Sequence, residues 1–170
     1  LIVYVDDDAT ISTGYFKVLE MVFSDREVDG IAGRILLEGS NRSYAKSQKN
    51  KSKFLRQDEW SCVLGGNLAF RRSTLEVVGC FDRRFGVGTE WGSAEDADYF
   101  FRMCYSGKKM FYAADMVIYH PLEAVGHSLE SLNEKYYSYG SGHGALFAKH
   151  WIEHGMRKHL LYFIWALIKP

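Results

Sequence analysis

The sequence carries no excess of charge of either sign: 21 lysines and arginines balance 21 aspartates and glutamates. A neutral overall field offers no basis for wholesale binding of nucleic acid or of an anionic membrane, so charge can act only locally. Cysteine is scarce too. Cys62, Cys80 and Cys104 are odd in number, widely spaced and set among apolar residues, with no CxxC or CxxH pairing. That pattern speaks against a disulfide framework or a cysteine-built zinc site and predicts reduced core thiols in an intracellular setting. There is no internal repeat, and no apolar run approaches the ~20 residues that a bilayer-spanning helix needs. Nor does a secretory leader open the chain: Leu1-Ile2-Val3-Tyr4-Val5 has neither a basic leader nor an initiator methionine. This opening reads as the middle of a protein, and the chain is expected to be a fragment. What remains is a 170-residue chain, the size of one domain with a substantial core.

The apolar opening, followed at once by carboxylates, reads as a buried central strand with sheet neighbours on both sides. Ser12 or Thr13 can then cap a helix through about Ser24, with Phe16, Leu19, Val22 and Phe23 as its apolar stripe. Gly30 to Leu37 reads as a second strand. Gly39 to Glu59 is polar and carries Arg42, Lys46, Lys49, Lys51, Lys53 and Arg56; it predicts a mobile loop, either a solvated excursion or a lid over an anionic ligand. Trp60 to Leu64 and Asn67 to Arg71 read as strand flanking Gly65-Gly66, a glycine pair that suggests a bulge or a close approach of backbone to ligand. Ser73-Thr74-Leu75-Glu76 has the form of a capping box for a short helix that Gly79 ends.

A glycine-rich stretch, Gly86 to Gly92, leads to a helix start at Ser93 and a helix running to about Ser106, stopped by Gly107. Ala97, Phe100, Phe101 and Cys104 share its core face, while Asp98 and Arg102 are expected as an outward i,i+4 pair. Lys109 to Ala113 and Met116 to His120 read as two short strands closed by Pro121. From Ser128 a helix is expected through Tyr137, interrupted by Gly140-Ser141-Gly142-His143-Gly144 and resuming through Trp151. His159 to Ile168 is apolar all round, about ten residues long and flanked by Arg157, Lys158 and Lys169. It can lie in a membrane interface, begin a longer segment or pack against a missing part of the protein.

Three segments carry chemistry. Asp6-Asp7-Asp8 follows the first strand, and in open α/β sheets ligands bind beyond the carboxyl ends of the strands. Carboxylates at this spacing can divide labour, one accepting hydrogen bonds from a sugar hydroxyl while another coordinates a hard cation that bridges phosphate oxygens. Glu95 and Asp96 sit in the first turn of a helix, where acidic residues also oppose the helix dipole. Helical spacing turns Glu95 away from the core face and leaves Asp96 at its edge, which makes Asp96 the better candidate for a general base. His120 ends a strand; paired with Asp8 it would give a site tolerant of both manganese and magnesium. The remaining histidines, 127, 143, 150, 154 and 159, have no HExxH-like spacing and read as incidental.

In this order the segments resemble the inverting glycosyltransferases of family 2, which have the GT-A fold. The carriers are Val3-Tyr4-Val5-Asp6-Asp7-Asp8 as strand and DxD motif, Gly65-Gly66-Asn67-Leu68-Ala69-Phe70-Arg71-Arg72 with Val78-Gly79-Cys80-Phe81-Asp82, Glu95-Asp96-Ala97-Asp98-Tyr99, and Val117-Ile118-Tyr119-His120-Pro121. The resemblance implies an α/β fold: residues 1–121 as the carboxyl-terminal part of a Rossmann-like GT-A domain with a mixed sheet, and 122–170 as a helical extension, membrane-associated or docked. It implies Asp6 and Asp7, with the Gly65 and Gly66 backbone, on a nucleotide-diphosphate sugar donor. Asp8 and His120 would hold Mn2+ or Mg2+, Asp96 would be the base, and Trp91 and Glu95 would lie on the side of a carbohydrate or lipid-linked acceptor. The implied reaction is a single in-line displacement with inversion, in bacterial surface polysaccharide assembly at the cytoplasmic face of the membrane. The family's first half, which holds the base and uridine-type contacts, has no counterpart here. Two rivals from other classes are a catalytically silent carbohydrate-binding or assembly subunit and a glycoside hydrolase, which would need two carboxylates but neither cation nor nucleotide.

Overall fold

The computed structural model describes residues 1–121 and 129–168; the expected helix start at Ser128, His127 and Lys169 lie outside the described residues. The elements in chain order are β1 (Ile2–Val5), β2 (Thr10–Ile11), α1 (Tyr15–Ser24), β3 (Gly30–Leu37), β4 (Lys53–Phe54), a 3-10 turn (Gln57–Cys62), β5 (Asn67–Phe70), α2 (Arg72–Val78), α3 (Glu95–Tyr105), β6 (Met110–His120), α4 (Leu129–His154) and α5 (Arg157–Ile168). The fold is α/β, with a mixed sheet and carboxyl-terminal helices. Its residues form two compact units, Leu1–Cys80 with Tyr99–Glu123 and Phe81–Asp98 with Ala124–Pro170.

The first unit holds the sheet, in the order β1-β5-β3-β6-β2, with β4 also on β6. Strands β1 and β3 are both antiparallel to β5, and β6 is parallel to β3. Thus β1, β3 and β6 point the same way and deliver their carboxyl ends to one side of the sheet. The continuous burial expected of the first strand belongs instead to β3, whose eight residues are nearly all buried and which pairs on both edges. Strand β1 ends the sheet and pairs with β5 alone among the described residues, so of the neighbours expected on both sides of Leu1–Val5 one is shown, and Leu1 and Val3 are exposed.

Residues Met110–His120 form one strand rather than two. Gly33 faces Ala113 and Arg34 faces Val117, so Ala114, Asp115 and Met116 are extruded as a bulge. Asn67 fills the space this creates. Fully buried, it donates from Nδ2 to the carbonyls of Arg34 and Met116 and accepts at Oδ1 from the Tyr15 hydroxyl, 2.9 Å away. Gly33 has to be glycine here, because a Cβ would stand 2.2 Å from the Asn67 amide. Burial pushes the Tyr15 hydroxyl up to about 12, so it donates at any physiological pH.

Helix α1 starts at Tyr15, later than a Ser12 or Thr13 cap would place it. The chain enters through Gly14 at φ 88°, a left-handed conformation that suits glycine, and no side chain caps the helix. Its buried residues are Tyr15, Leu19 and Phe23, with Val22 packed against the same core, so the expected stripe holds except that Tyr15 takes the place of the exposed Phe16. Helix α2 lacks the expected capping box as well: Arg71 is its N-cap, and Thr74 is buried with its hydroxyl donated to the Asp29 carbonyl. Gly79 ends it as expected, at φ 83°.

The polar stretch from Gly39 to Glu59 is pinned rather than mobile. Gln48, 2 % exposed, accepts from the Ile35 amide and donates to the carbonyls of Gly33 and Cys62. Strand β4 pairs with β6, the Tyr112 hydroxyl donates to the Lys49 carbonyl, and Ser52 accepts from the Ala114 amide. Trp60–Cys62, expected as the start of a strand, instead belong to the 3-10 turn, which a Lys53–Glu59 ion pair braces. Of the thiols, only Cys62 is buried; Cys80 is exposed and Cys104 intermediate, and all three are free. Arg102 donates to the Val78 and Cys80 carbonyls, and Asp98, expected to face outward, is fully buried.

In the second unit, α4 runs unbroken through the glycine cluster. Gly142 packs so closely on Ser93 that a Cβ would meet its hydroxyl at 2.2 Å, and beside this contact the Ser93 hydroxyl donates to the Ser138 carbonyl while the Ser138 hydroxyl donates to the Gly92 carbonyl. The glycines here serve helix packing, which outweighs their poor helix propensity. Helix α5 follows a glycine stop at Gly155, φ 70°. No helix among the described residues is long and apolar enough to cross a membrane.

Candidate functional site

The carboxyl ends of β1 and β6 bring together residues from opposite ends of the chain. After β1 the backbone crosses through Asp6–Ala9, turned by the Ala9 amide on the Asp6 carbonyl, and enters β2, which pairs with Ile118 and Tyr119. This crossing sets the acidic triplet beside His120. His120 Nε2 lies 3.5 Å from Asp8 Oδ1 and 3.8 Å from Asp6 Oδ2. One ligand atom from each of the three falls within 4.8 Å of the others, a grouping able to hold a metal ion.

The imidazole is oriented for such a role. His120 Nδ1 is 3.0 Å from the Pro121 carbonyl, which can only accept, so Nδ1 carries the hydrogen. Nε2 then faces the two carboxylates, an arrangement that a second ring proton or a cation between them makes favourable. Backbone orientation of one ring nitrogen while the other faces a metal position is the usual support for a histidine ligand. The Tyr44 ring packs against the imidazole at 5.3 Å.

Asp6 is held from the other side. Its amide donates to the Gly66 carbonyl at 3.2 Å, and its carboxylate fills the space in which a Gly66 Cβ would lie, 2.1 Å from Oδ2. Gly66 is therefore the residue that admits the Asp6 side chain. Burial raises the Asp6 carboxyl above its ordinary value; His120 opposes this, and Asp8 and Asp7 add to it. Asp7 and Asp8 are exposed. Two oxygen ligands and one nitrogen, half open to water, suit a borderline to hard divalent cation that keeps positions for water or phosphate oxygens.

The other expected site residues lie in the second unit. Glu95 and Asp96 are both partly buried in the first turn of α3, which follows Ala94 at φ 74°. The Asp96 carboxylate accepts from the Ala97 amide at 2.6 Å, and Glu95 approaches Gly86. Trp91, with Arg84, Phe85, Ala145, Ala148 and Lys149, lines a cavity of about 230 Å³. Asp98 is fully buried and salt-bridged to Lys149 Nζ at 2.7 Å, with His150 Nε2 at 2.9 Å. Lys149 also reaches Asp82, whose carboxyl is held far below the usual range, first by its hydrogen bond with Arg84 and also by Lys149.

Histidines 150 and 154, read as incidental in the sequence, lie with Glu153 in a second grouping whose ligand atoms are close enough together to hold a metal ion. Their i, i+3, i+4 spacing was the available signal. No protein-family model matches this chain, and no curated protein does.

Proposed function

We propose that this chain is part of a metal-dependent, inverting glycosyltransferase of the GT-A class, moving a sugar from a nucleotide-diphosphate donor to an acceptor hydroxyl. The observation that carries this reading is the convergence of Asp6, Asp8 and His120 at the carboxyl ends of β1 and β6. An α/β fold with a mixed sheet is compatible with it. A divalent cation at Asp8 and His120 would supply charge to stabilise a leaving diphosphate. Asp6 and Asp7 would accept hydrogen bonds from donor hydroxyls. Asp96 is the proposed base: near the amino terminus of α3 the macrodipole favours its carboxylate form, suited to taking a proton from the attacking hydroxyl. Surface polysaccharide assembly at the inner face of the membrane is the proposed setting. It rests on the family resemblance and on the apolar Leu161, Ile164 and Trp165 exposed on α5.

Titration of the full-length protein with a panel of nucleotide diphosphates, with and without Mn2+, tests the reading. Binding that requires the ion and is lost in Asp8→Ala is the expected result. Nucleotide binding indifferent to a chelator, or none at all, overturns it.

A further inference from the structure

The second histidine cluster has a composition the first lacks. His150, Glu153 and His154 share one face at the carboxyl end of α4, and one ligand atom from each lies within 4.8 Å of the others. Their rings and carboxylate are arranged from the inside outward. The His150 side chain is fully buried, whereas those of His154 and Glu153 are 33 % and 46 % exposed. The two imidazoles lie nearly parallel, at 19° with centroids 5.7 Å apart.

From behind, Asp98 fixes His150. The carboxylate, already salt-bridged to Lys149, can only accept, so His150 Nε2 donates to it at 2.9 Å and the ring's lone pair falls on Nδ1. A carboxylate behind a histidine that fixes its tautomer is the outer support typical of histidine metal sites. The position in the helix adds to this. Gly155 and Met156 close α4 with hydrogen bonds back to the Trp151 and His150 carbonyls, so the cluster occupies the last turn, where the macrodipole favours a cation.

We infer that His150, Glu153 and His154 form a second cation site, selective for a nitrogen-preferring ion such as Zn2+. Three protein ligands leave a fourth tetrahedral position for water or a partner's side chain. The site does not rest on the transferase reading, since all its residues, and Asp98 behind them, are separate from Asp6, Asp8 and His120.

The experiment uses full-length protein carrying Asp8→Ala, so that the first cluster is disabled. The protein is stripped with a chelator and titrated with Co2+, read by its visible absorption, and then with Zn2+. One equivalent of cobalt should bind with the intense absorption of tetrahedral coordination and be displaced by one equivalent of zinc. His154→Gln, at a half-exposed position, should keep the circular dichroism of the parent while weakening binding by at least ~10-fold. Glu153→Gln should act in the same direction. Cobalt that gives no tetrahedral absorption, or binding that both variants leave within about twofold of the parent, overturns the inference.

Discussion

Asp6, Asp8 and His120 are gathered by the fold from segments more than a hundred residues apart, whereas His150, Glu153 and His154 fill little more than one turn of one helix. The chemistry differs as much as the connectivity. The first cluster is rich in oxygen and crowds like charges at the protein surface, with no lysine or arginine in ion-pair range of Asp6 or Asp8 among the described residues. The second is rich in nitrogen, and the carboxylate behind it is paired with a partly buried lysine. A cluster that needs the whole sheet to exist crowds like charges that a cation, if bound, would relieve. A cluster backed by a satisfied ion pair has rigidity from the start.

The sharpest way to break this contrast is to remove one ligand from the first cluster. Asp8→Ala in the full-length protein should abolish manganese-dependent transfer while leaving the fold intact, and Asp7→Ala should cost much less. Full transfer in Asp8→Ala, or transfer unaffected by a chelator, would separate the cluster from the reaction. Next in size is Asp96→Asn, which keeps the side chain's shape but removes its basicity. It should lower kcat roughly 10²-fold to 10⁴-fold with donor affinity little changed. Turnover within about threefold of the parent, with Glu95→Gln inactive, would move the base to Glu95.

The second cluster is tested through stability. Lys149→Met removes a cationic partner of the fully buried Asp98 while its hydrogen bond from His150 remains, and loss of one partner from a buried pair costs up to about 3–5 kcal/mol, measurable by urea unfolding. A loss below about 1 kcal/mol would mean that Lys149 is no more than a surface ion pair. Asp82 shares that lysine. Because its carboxyl is held low in the folded state, its contribution is present above the ordinary carboxylate range and is lost as pH falls through the folded value.

The smallest effect comes from Asp6, where the sign is opposite. Its folded carboxyl is raised, so its stabilising contribution is present below the unfolded value and disappears as pH rises through the folded one. At neutral pH without metal, Asp6→Asn should therefore raise Tm slightly, and added Mn2+ should reverse the order of the two proteins. An unchanged order with Mn2+ would remove Asp6 from the cation's surroundings.

Several elements were legible in the sequence because the signal was local. The β3 limits, the stop at Gly79, and a helix ending just before Gly107 follow from apolar run length and glycine placement. What failed depended on distant partners. Asp98 and Arg102 have ideal spacing for a surface pair, but Asp98 is buried against Lys149 and His150, while Arg102 serves the Val78 and Cys80 carbonyls. Gly140 to Gly144 look like a helix break until Ser93 is packed against Gly142. Gln48 in a lysine-rich stretch gives no hint that it satisfies three backbone groups in the interior. For the candidate sites the pattern is inverted. The acid triplet stood out on its strand and His120 was marked by its place at a strand end before Pro121, whereas the α4 cluster carried its spacing openly without an HExxH pattern to flag it.

The parallel pairing of β3 with β6 joins Gly30 to Met110, and closing so long a loop delays its reward until most of the chain is ordered. Helices α1 and α4 can gain structure from neighbours in sequence, but β6 cannot dock before β3 is in place. His120 is the last residue of that strand, so the acid–histidine cluster requires this long-range pairing to have closed. A chain stalled before that closure would retain much of its helix content and hold the acidic triplet without its histidine.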